Sequence, residues 1–351
     1  MRAAVLREYD QPLSIEEVHP PDCPDHGVVV AVEACGICRS DWHAWKGHGE
    51  WADDRAPLGL VLGHEPAGRV VGVGADVTTL AEGDRVAVPF NLGCGDCRYC
   101  QNGHGNVCPD GRALGFEERA PGAFAERVAV PWADYNAVRV PDIDPTALAA
   151  LGCRYVTAYH ALEHRADAGA GDWVAVFGCG GVGLSAVQVA DAVGASVVAV
   201  DIDDAKLSAA REVGADATVD ADREDAAASV RAATDGGAHV SLDALGSAET
   251  ARAGVESLRP LGTHVQVGLT GEAERGEISL PTDAMAGREV TFHGARGMPP
   301  SRYDELLRML AAGRLDPGAL VSRTVALEEV PDRLAAMDDY ATAGVEVVTE
   351  F

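Results

Sequence analysis

A short apolar run, Trp173–Phe177, leads into Gly178-Cys179-Gly180-Gly181-Val182-Gly183, and an alanine-rich amphipathic stretch follows to Val193. Strand, glycine loop and helix in that order constrain the chain more than any other feature, because together they make one β–α unit. The alternation continues. Ser196–Val200, His239–Ala244 and Thr263–Val267 are short apolar runs, and Val182–Val193, Asp204–Val213, Glu224–Ala233 and Ala248–Leu258 between them read as helices. Alternating β and α units imply a parallel sheet covered on both faces, a doubly wound α/β domain. Glu289–Ala295 reads as one more strand, Arg302–Ala312 as a helix and residues 320–351 as strand again.

Gly178, Gly180 and Gly183 fit G-x-G-x-x-G, and the strand before and helix after supply the context that gives the pattern meaning. Glycines let the backbone approach a pyrophosphate, and the helix start at Gly181 and Val182 offers N–H groups to negative charge. The next strand ends at Asp201, whose carboxylate suits two ribose hydroxyls and repels a 2′-phosphate, so NAD is expected over NADP. Lys206 lies five residues on, within reach of the ribose. The competing reading is a tight turn in a domain that binds no nucleotide, with Asp201 as a strand-end carboxylate facing water.

The first 150 or so residues have a different texture, rich in glycine, turns and β-branched runs such as Val28–Val32 and Gly68–Val73. A chain of 351 residues suffices for two domains with cores of their own. Met1–Leu6 reads as a strand and lacks the regions of a signal peptide, and no run is long enough to span a bilayer, so a soluble cytoplasmic protein is expected. The formal net charge is -27, and Lys46 and Lys206 are the only lysines. Dense carboxylates repel nucleic acid and anionic membranes, which excludes both as partners. An acidic surface keeps a protein hydrated. It also suits a halophilic cytoplasm, where salt screens the self-repulsion, and that reading is preferred here.

Nine cysteines cannot all pair, and Cys94, Cys97, Cys100 and Cys108 crowd into one loop, which argues for metal rather than disulfides. Zinc accepts four thiolates in a closed tetrahedral site. An iron–sulfur centre is the rival, since Cys108-Pro109 ends the run. However, seven residues precede that last cysteine where a ferredoxin has three. Either way the loop has no open position and is structural. Cys38, His43, His64, Glu65 and Cys153 are further ligand types, but no local spacing joins them.

Cys35-Gly36-Ile37-Cys38-Arg39-Ser40-Asp41-Trp42-His43, Gly63-His64-Glu65, the lobe Asn91–Cys108 and Gly152-Cys153-Arg154-Tyr155-Val156-Thr157-Ala158-Tyr159 resemble, in order and spacing, the zinc-dependent alcohol dehydrogenases of the medium-chain dehydrogenase/reductase family. With the Gly178 loop, the likeness covers nearly the whole chain. The resemblance implies a GroES-like, β-rich catalytic domain at 1–154 and 297–351, with a structural zinc lobe at about 91–110, and a Rossmann-type dinucleotide-binding domain at 155–296. It implies a catalytic zinc on Cys38, His64 and Cys153, with Glu65 able to approach the metal. Asp41 would orient His64, Ser40 would take the substrate proton, and His43 would end a proton relay. Thr157 and Val267-Gly268-Leu269 would pack beside the nicotinamide. The implied reaction is hydride transfer between a small-molecule alcohol, or an aldehyde or ketone in reverse, and NAD. The implied assembly is a homodimer or homotetramer with a contact near Glu289–Ala295.

Trp42, Trp51 and Phe90 lie near positions resembling the family's pocket wall, and large rings there would favour small or apolar alcohols. Relatives often carry a basic residue in the last strand that helps hold the pyrophosphate; here Glu346 stands there. Polyol, formaldehyde or amino-alcohol oxidation are alternatives within the family. A zinc-free quinone or enoyl reductase would lack Cys38 and the cysteine loop, and a non-catalytic nucleotide-binding protein would need no open metal site.

Overall fold

The computed structural model describes residues 1–49, 55–140, 143–339, 342 and 344–351. It divides into one unit formed by Met1–Val156, Gly297–Ala312 and Asp316–Phe351, and another formed by Thr157–Arg296 and Gly313–Leu315.

The first unit is built round a seven-stranded sheet whose central strand, Val28–Ile37, is β-branched and almost wholly buried. On one side it pairs antiparallel with Val345–Glu350, which in turn pairs parallel with Val321–Ala326. On the other it pairs antiparallel with Glu65–Val73, in a register that sets Gly36 opposite Glu65 and Cys35 opposite Pro66. That register decides where the chemistry collects, because it brings His64 and Glu65 alongside the strand end that runs into Cys38.

The chain turns into a helix at once, Arg39–Lys46. Its first turn is closed by the Asp41 carboxylate, which accepts the Cys38 backbone N–H at 2.9 Å, and Gly47 ends it at φ 73°. A second helix, Pro145–Ala150, begins with proline and is capped by Asp144, whose carboxylate accepts the Thr146 and Ala147 amides. It kinks at Gly152 and delivers Cys153. Residues 320–351 are not strand throughout: the helix Val330–Ala336 separates the two strands, with Val330 and Leu334 buried. No helix among the described residues is long and apolar enough to cross a membrane.

The second unit carries a six-stranded parallel sheet in the order Ala217–Asp220, Ser196–Asp201, Trp173–Phe177, Ala238–Asp243, Leu258–Gln266, Thr291–Gly294. The chain leaves Trp173–Phe177 toward one edge and returns across it to the other. The crevice at the carboxyl end of that strand is therefore a topological switch point, where such sheets bind ligands. Ala217–Asp220 is a strand the sequence does not announce, since an edge strand of four residues ending in aspartate has no apolar run to mark it.

Leu261 sits at φ 66° and is 71% exposed, a left-handed backbone under a branched side chain with little to pack against. Leu261→Gly is expected to raise stability by about 0.5–1 kcal/mol, the strain relieved less the extra freedom glycine gives the unfolded chain. Thermal unfolding of the two proteins measures it, and a lower midpoint for the variant would show that contacts hold the leucine in place.

Candidate active site

Cys38, His64, Glu65 and Cys153 come from three separate stretches of the first unit, and one donor atom from each lies within 4.8 Å of all the others. Asp41 organises the group. Its Oδ1 accepts the His64 Nδ1 proton at 2.7 Å and the Gly63 amide at 3.2 Å, while Oδ2 holds the Cys38 amide. With Nδ1 committed to donating, the neutral ring has a lone pair at Nε2. That atom is buried and has no hydrogen-bond partner. An orphaned imidazole nitrogen beside two sulfurs is costly unless a cation completes it, and the donor set suits zinc. In the metal-free protein a hydrogen bond from Cys153, the largest of several effects, holds the Cys38 thiol well below its ordinary value against burial. Burial lowers the affinity of His64 for a proton, but Asp41 and Cys38 outweigh it and leave the group raised. These are protons that a divalent ion displaces.

Arg154 is the residue that sequence reasoning quoted without assigning a role. The residue is 4% exposed, and its guanidinium is ion-paired through Nη2 to Glu65 Oε2 and donates through Nη1 to the Ile37 carbonyl at 3.0 Å. The Arg154 backbone N–H donates to Glu65 Oε1 at 3.2 Å. Glycine at 36 makes room, since a Cβ there would stand 2.0 Å from Glu65 Oε2 and 2.8 Å from Arg154 Nη2. Burial pushes the Glu65 carboxyl up to about 7, against the pull of Arg154. The signal was present: an arginine inside an otherwise apolar segment, next to Cys153, needs an anion. Glu346 of the last strand is held by Arg333 in a paired bridge with both contacts at 2.7 Å.

Ser40 is the second residue of its helix and does not cap it; its Oγ lies 3.9 Å from Cys38 Sγ. His43 stands one turn on, with its ring edge on Trp42 at 4.9 Å between centroids. Phe90 packs against the His64 ring at 5.5 Å, and Phe116, which the sequence did not single out, packs at 4.9 Å. Trp51 lies outside the described residues.

Cys94, Cys97, Cys100 and Cys108 form the second cluster, with all sulfurs within 4.8 Å of one another and Cys94 and Cys97 each 3.5–4.0 Å from Cys100 and Cys108. A tetrahedron with Zn–S of about 2.3 Å has edges of about 3.8 Å, so the four sulfurs are spaced for one ion. The Cys100 backbone N–H, first among several donors, lowers Cys97 to about 7, and burial pushes Cys108 up to about 12. Asn136 fixes the entry to this lobe, donating to the Gly93 carbonyl and accepting its amide, both at 2.9 Å. Cys23, Cys35 and Cys179 join neither cluster.

In the second unit the glycine loop closes on itself. A Cβ at Gly183 would stand 1.8 Å from the Gly178 carbonyl oxygen, so only glycine permits that packing. The helix Gly181–Ala192 begins at Gly180 without a side-chain cap, so its first amides are left for an anion. Asp201 has a role the sequence did not show. Its Oδ2 accepts the Cys179 amide at 2.7 Å and its Oδ1 the Ile202 and Asp203 amides, so the carboxylate braces the loop as well as facing outward. Lys206 lies in the following helix. Thr157 is buried at the start of the unit, and Val267-Gly268-Leu269 follow the strand Leu258–Gln266, with the Gly268 amide tied to the Asp243 carbonyl.

A cysteine–imidazole cluster in one unit and a glycine loop opening an uncapped helix in the other are the marks of a metal- and dinucleotide-dependent enzyme. The comparisons with known proteins name the family. Residues 24–142 match the alcohol dehydrogenase GroES-like domain, and residues 181–312 match the zinc-binding dehydrogenase domain. An alcohol dehydrogenase of Geobacillus stearothermophilus is 34% identical over 340 residues, 96% of each chain. An NAD-dependent alcohol dehydrogenase of Saccharolobus solfataricus is 31% identical over 99% of each chain. The solved alcohol dehydrogenase of Thermus sp. ATN1 superposes with a TM-score of 0.89 at 31% identity over 100% of both chains. The chain belongs to the zinc-binding alcohol dehydrogenase family and is an enzyme.

Proposed function

We propose that this protein is an NAD-dependent zinc alcohol dehydrogenase, interconverting an alcohol and its aldehyde or ketone. The observation that carries the reading is the buried, unpartnered His64 Nε2 in the pocket of Cys38 and Cys153. Those three residues would hold the catalytic zinc, and Cys94, Cys97, Cys100 and Cys108 the structural one. Bound zinc supplies a Lewis acid for the substrate oxygen, and bound NAD supplies the hydride acceptor. The protein's own part is to keep two sulfurs and one imidazole converged, with Asp41 fixing the His64 tautomer. Ser40 Oγ receives the substrate's proton, and His43 is the outer group that passes it on. Glu65 is a fourth donor within reach, restrained by Arg154.

Zinc analysis and a cofactor comparison test this together. Two zinc ions per chain are expected, with oxidation of a panel of primary, secondary and polyol alcohols followed by nicotinamide absorbance. NAD is expected to beat NADP by about tenfold or more in kcat/KM, and Asp201→Ser is expected to narrow the gap. One zinc or none, without turnover, would favour a non-catalytic nucleotide-binding protein. Activity confined to polyols or formaldehyde would select one of those subfamilies.

Three features of setting follow the same reading. No disulfide joins any of the nine cysteines, which suits a reducing cytoplasm. Salt that screens the charge of -27 is expected to favour the folded state. The edge strand Thr291–Gly294, with Phe292 40% exposed, and the helix Thr282–Arg288, which buries no residue, present a face for a second copy of the chain.

A further inference from the structure

Gly47 turns the chain back at the end of the helix Arg39–Lys46, and the His48 amide returns to the His43 carbonyl at 3.0 Å. The turn lays one imidazole against the other. The two Nδ1 atoms are 3.0 Å apart, with ring centroids at 5.3 Å and planes inclined at 55°. Nitrogens at that distance share a hydrogen: one ring donates and the other accepts. Both rings stand edge-on to Trp42, at 4.9 Å for His43 and 5.2 Å for His48. Trp42 is itself fixed, with Nε1 donating to Asp338 at 2.7 Å and the Arg39 guanidinium lying over its ring at 4.0 Å. The pair is therefore held in register by a rigid platform rather than by chance rotamers.

Resting on the relay reading of His43, we propose that His48 is the outer proton carrier of that relay, acting through His43. A proton arriving at His43 Nε2 forms a new N–H bond there. The Nδ1–H bond of the same ring breaks, and its proton moves to His48 Nδ1. One bond forms and one breaks on His43, the ring returns to neutral, and no redox partner is involved. His48 is partly exposed and can exchange the proton with water.

The surroundings of His43 favour transfer over storage. Burial first, then Arg39, then His48 lower it to about 4, with the Cys38 thiolate opposing. The other charges on and against this helix include the buried Asp41 carboxylate, committed to His64 and to the Cys38 and Gly63 amides, and Lys46, which bridges Asp10 and Asp338. A ring that resists a second proton at neutral pH must hand it on as it receives it.

Kinetics of the zinc-loaded enzyme across pH 6–10 test the idea with His43→Gln, His48→Gln and the double variant. The expected result is a kcat for alcohol oxidation about tenfold lower in His48→Gln near pH 7, below the range for a primary acid–base group. The KM for alcohol should stay within about twofold, and the deficit should close toward pH 10 as solvent takes the proton directly. Because the two rings act in series, the double variant should be no slower than His43→Gln. A His48→Gln enzyme indistinguishable from wild type at every pH, with His43→Gln slow, overturns the proposal and leaves the relay ending at His43. Normal rates in both single variants overturn the relay reading itself. Two-bond proton–nitrogen spectra of the protein labelled in histidine give a readout independent of turnover. One Nδ1 of the pair should carry hydrogen and the other none, and two bare nitrogens overturn the proposal.

Discussion

His64→Ala is expected to lower zinc from two ions per chain to about one and to cut kcat/KM by at least a thousandfold, about 4 kcal/mol of transition-state stabilisation. The remaining ion should belong to the four-cysteine lobe, which shares no residue with the His64 cluster. Asp41→Asn should act more gently, by about 10–100-fold. The imidazole stays present but loses the partner that fixes its tautomer, and Asp41 also holds the Gly63 and Cys38 amides. Metal affinity should climb with pH in the wild-type protein, because the ion competes with protons shared among Cys38, Cys153 and His64. Elemental analysis beside initial rates, with circular dichroism to show that the variant is folded, checks the prediction. Two zinc ions and near-normal activity in His64→Ala would remove the imidazole from the ligand set.

Much of this was readable in the chain, though unevenly. The α/β alternation from Trp173 onward is local, because each strand and helix carries its own period, and observed elements such as Gly181–Ala192 and Asp204–Glu212 lie within a residue or so of the sequence reading. The four-cysteine lobe is local too, since its ligands share one loop. The other cluster is not. Cys38, His64 and Cys153 converge through a strand register, Gly36 against Glu65, and through a kinked helix, neither of which has a short-range signature. Resemblance to a family suggested them where spacing could not. What neither supplied were specific contacts: Arg154 on Glu65, Arg333 on Glu346, Asp201 on the loop amides, His48 on His43. Each depends on a side chain meeting its partner in three dimensions.

Arg154→Met should separate the restraint on Glu65 from metal binding itself. The substitution keeps the bulk of the side chain's apolar stem and removes the cation, so the buried carboxyl keeps the residue 154 backbone N–H on Oε1 and loses the guanidinium on Oε2. Breaking a buried pair from one side costs about 3–5 kcal/mol, and Glu65→Gln added to the same chain should recover much of that loss, since no uncompensated charge is then left inside. The pH dependence has a definite sign. In the metal-free protein the folded Glu65 titrates at about 7 rather than 4.5, so between those values the native state holds more protons than the unfolded one. Stability should therefore fall as pH rises through that window. Removing Arg154 raises the folded value further and carries the decline above pH 7, while Glu65→Gln abolishes it. Denaturant unfolding of the three variants and wild type at pH 5, 7 and 8.5 measures the coupling. Zinc content should stay at two per chain in Arg154→Met, because none of the three main ligands is touched. Activity should nevertheless fall, because the freed carboxylate of Glu65 lies within donor distance of the ion's position and competes with substrate for it. Lost zinc in this variant would make Arg154 a support for the ligands. Unchanged stability, zinc and activity would show that the buried pair restrains nothing.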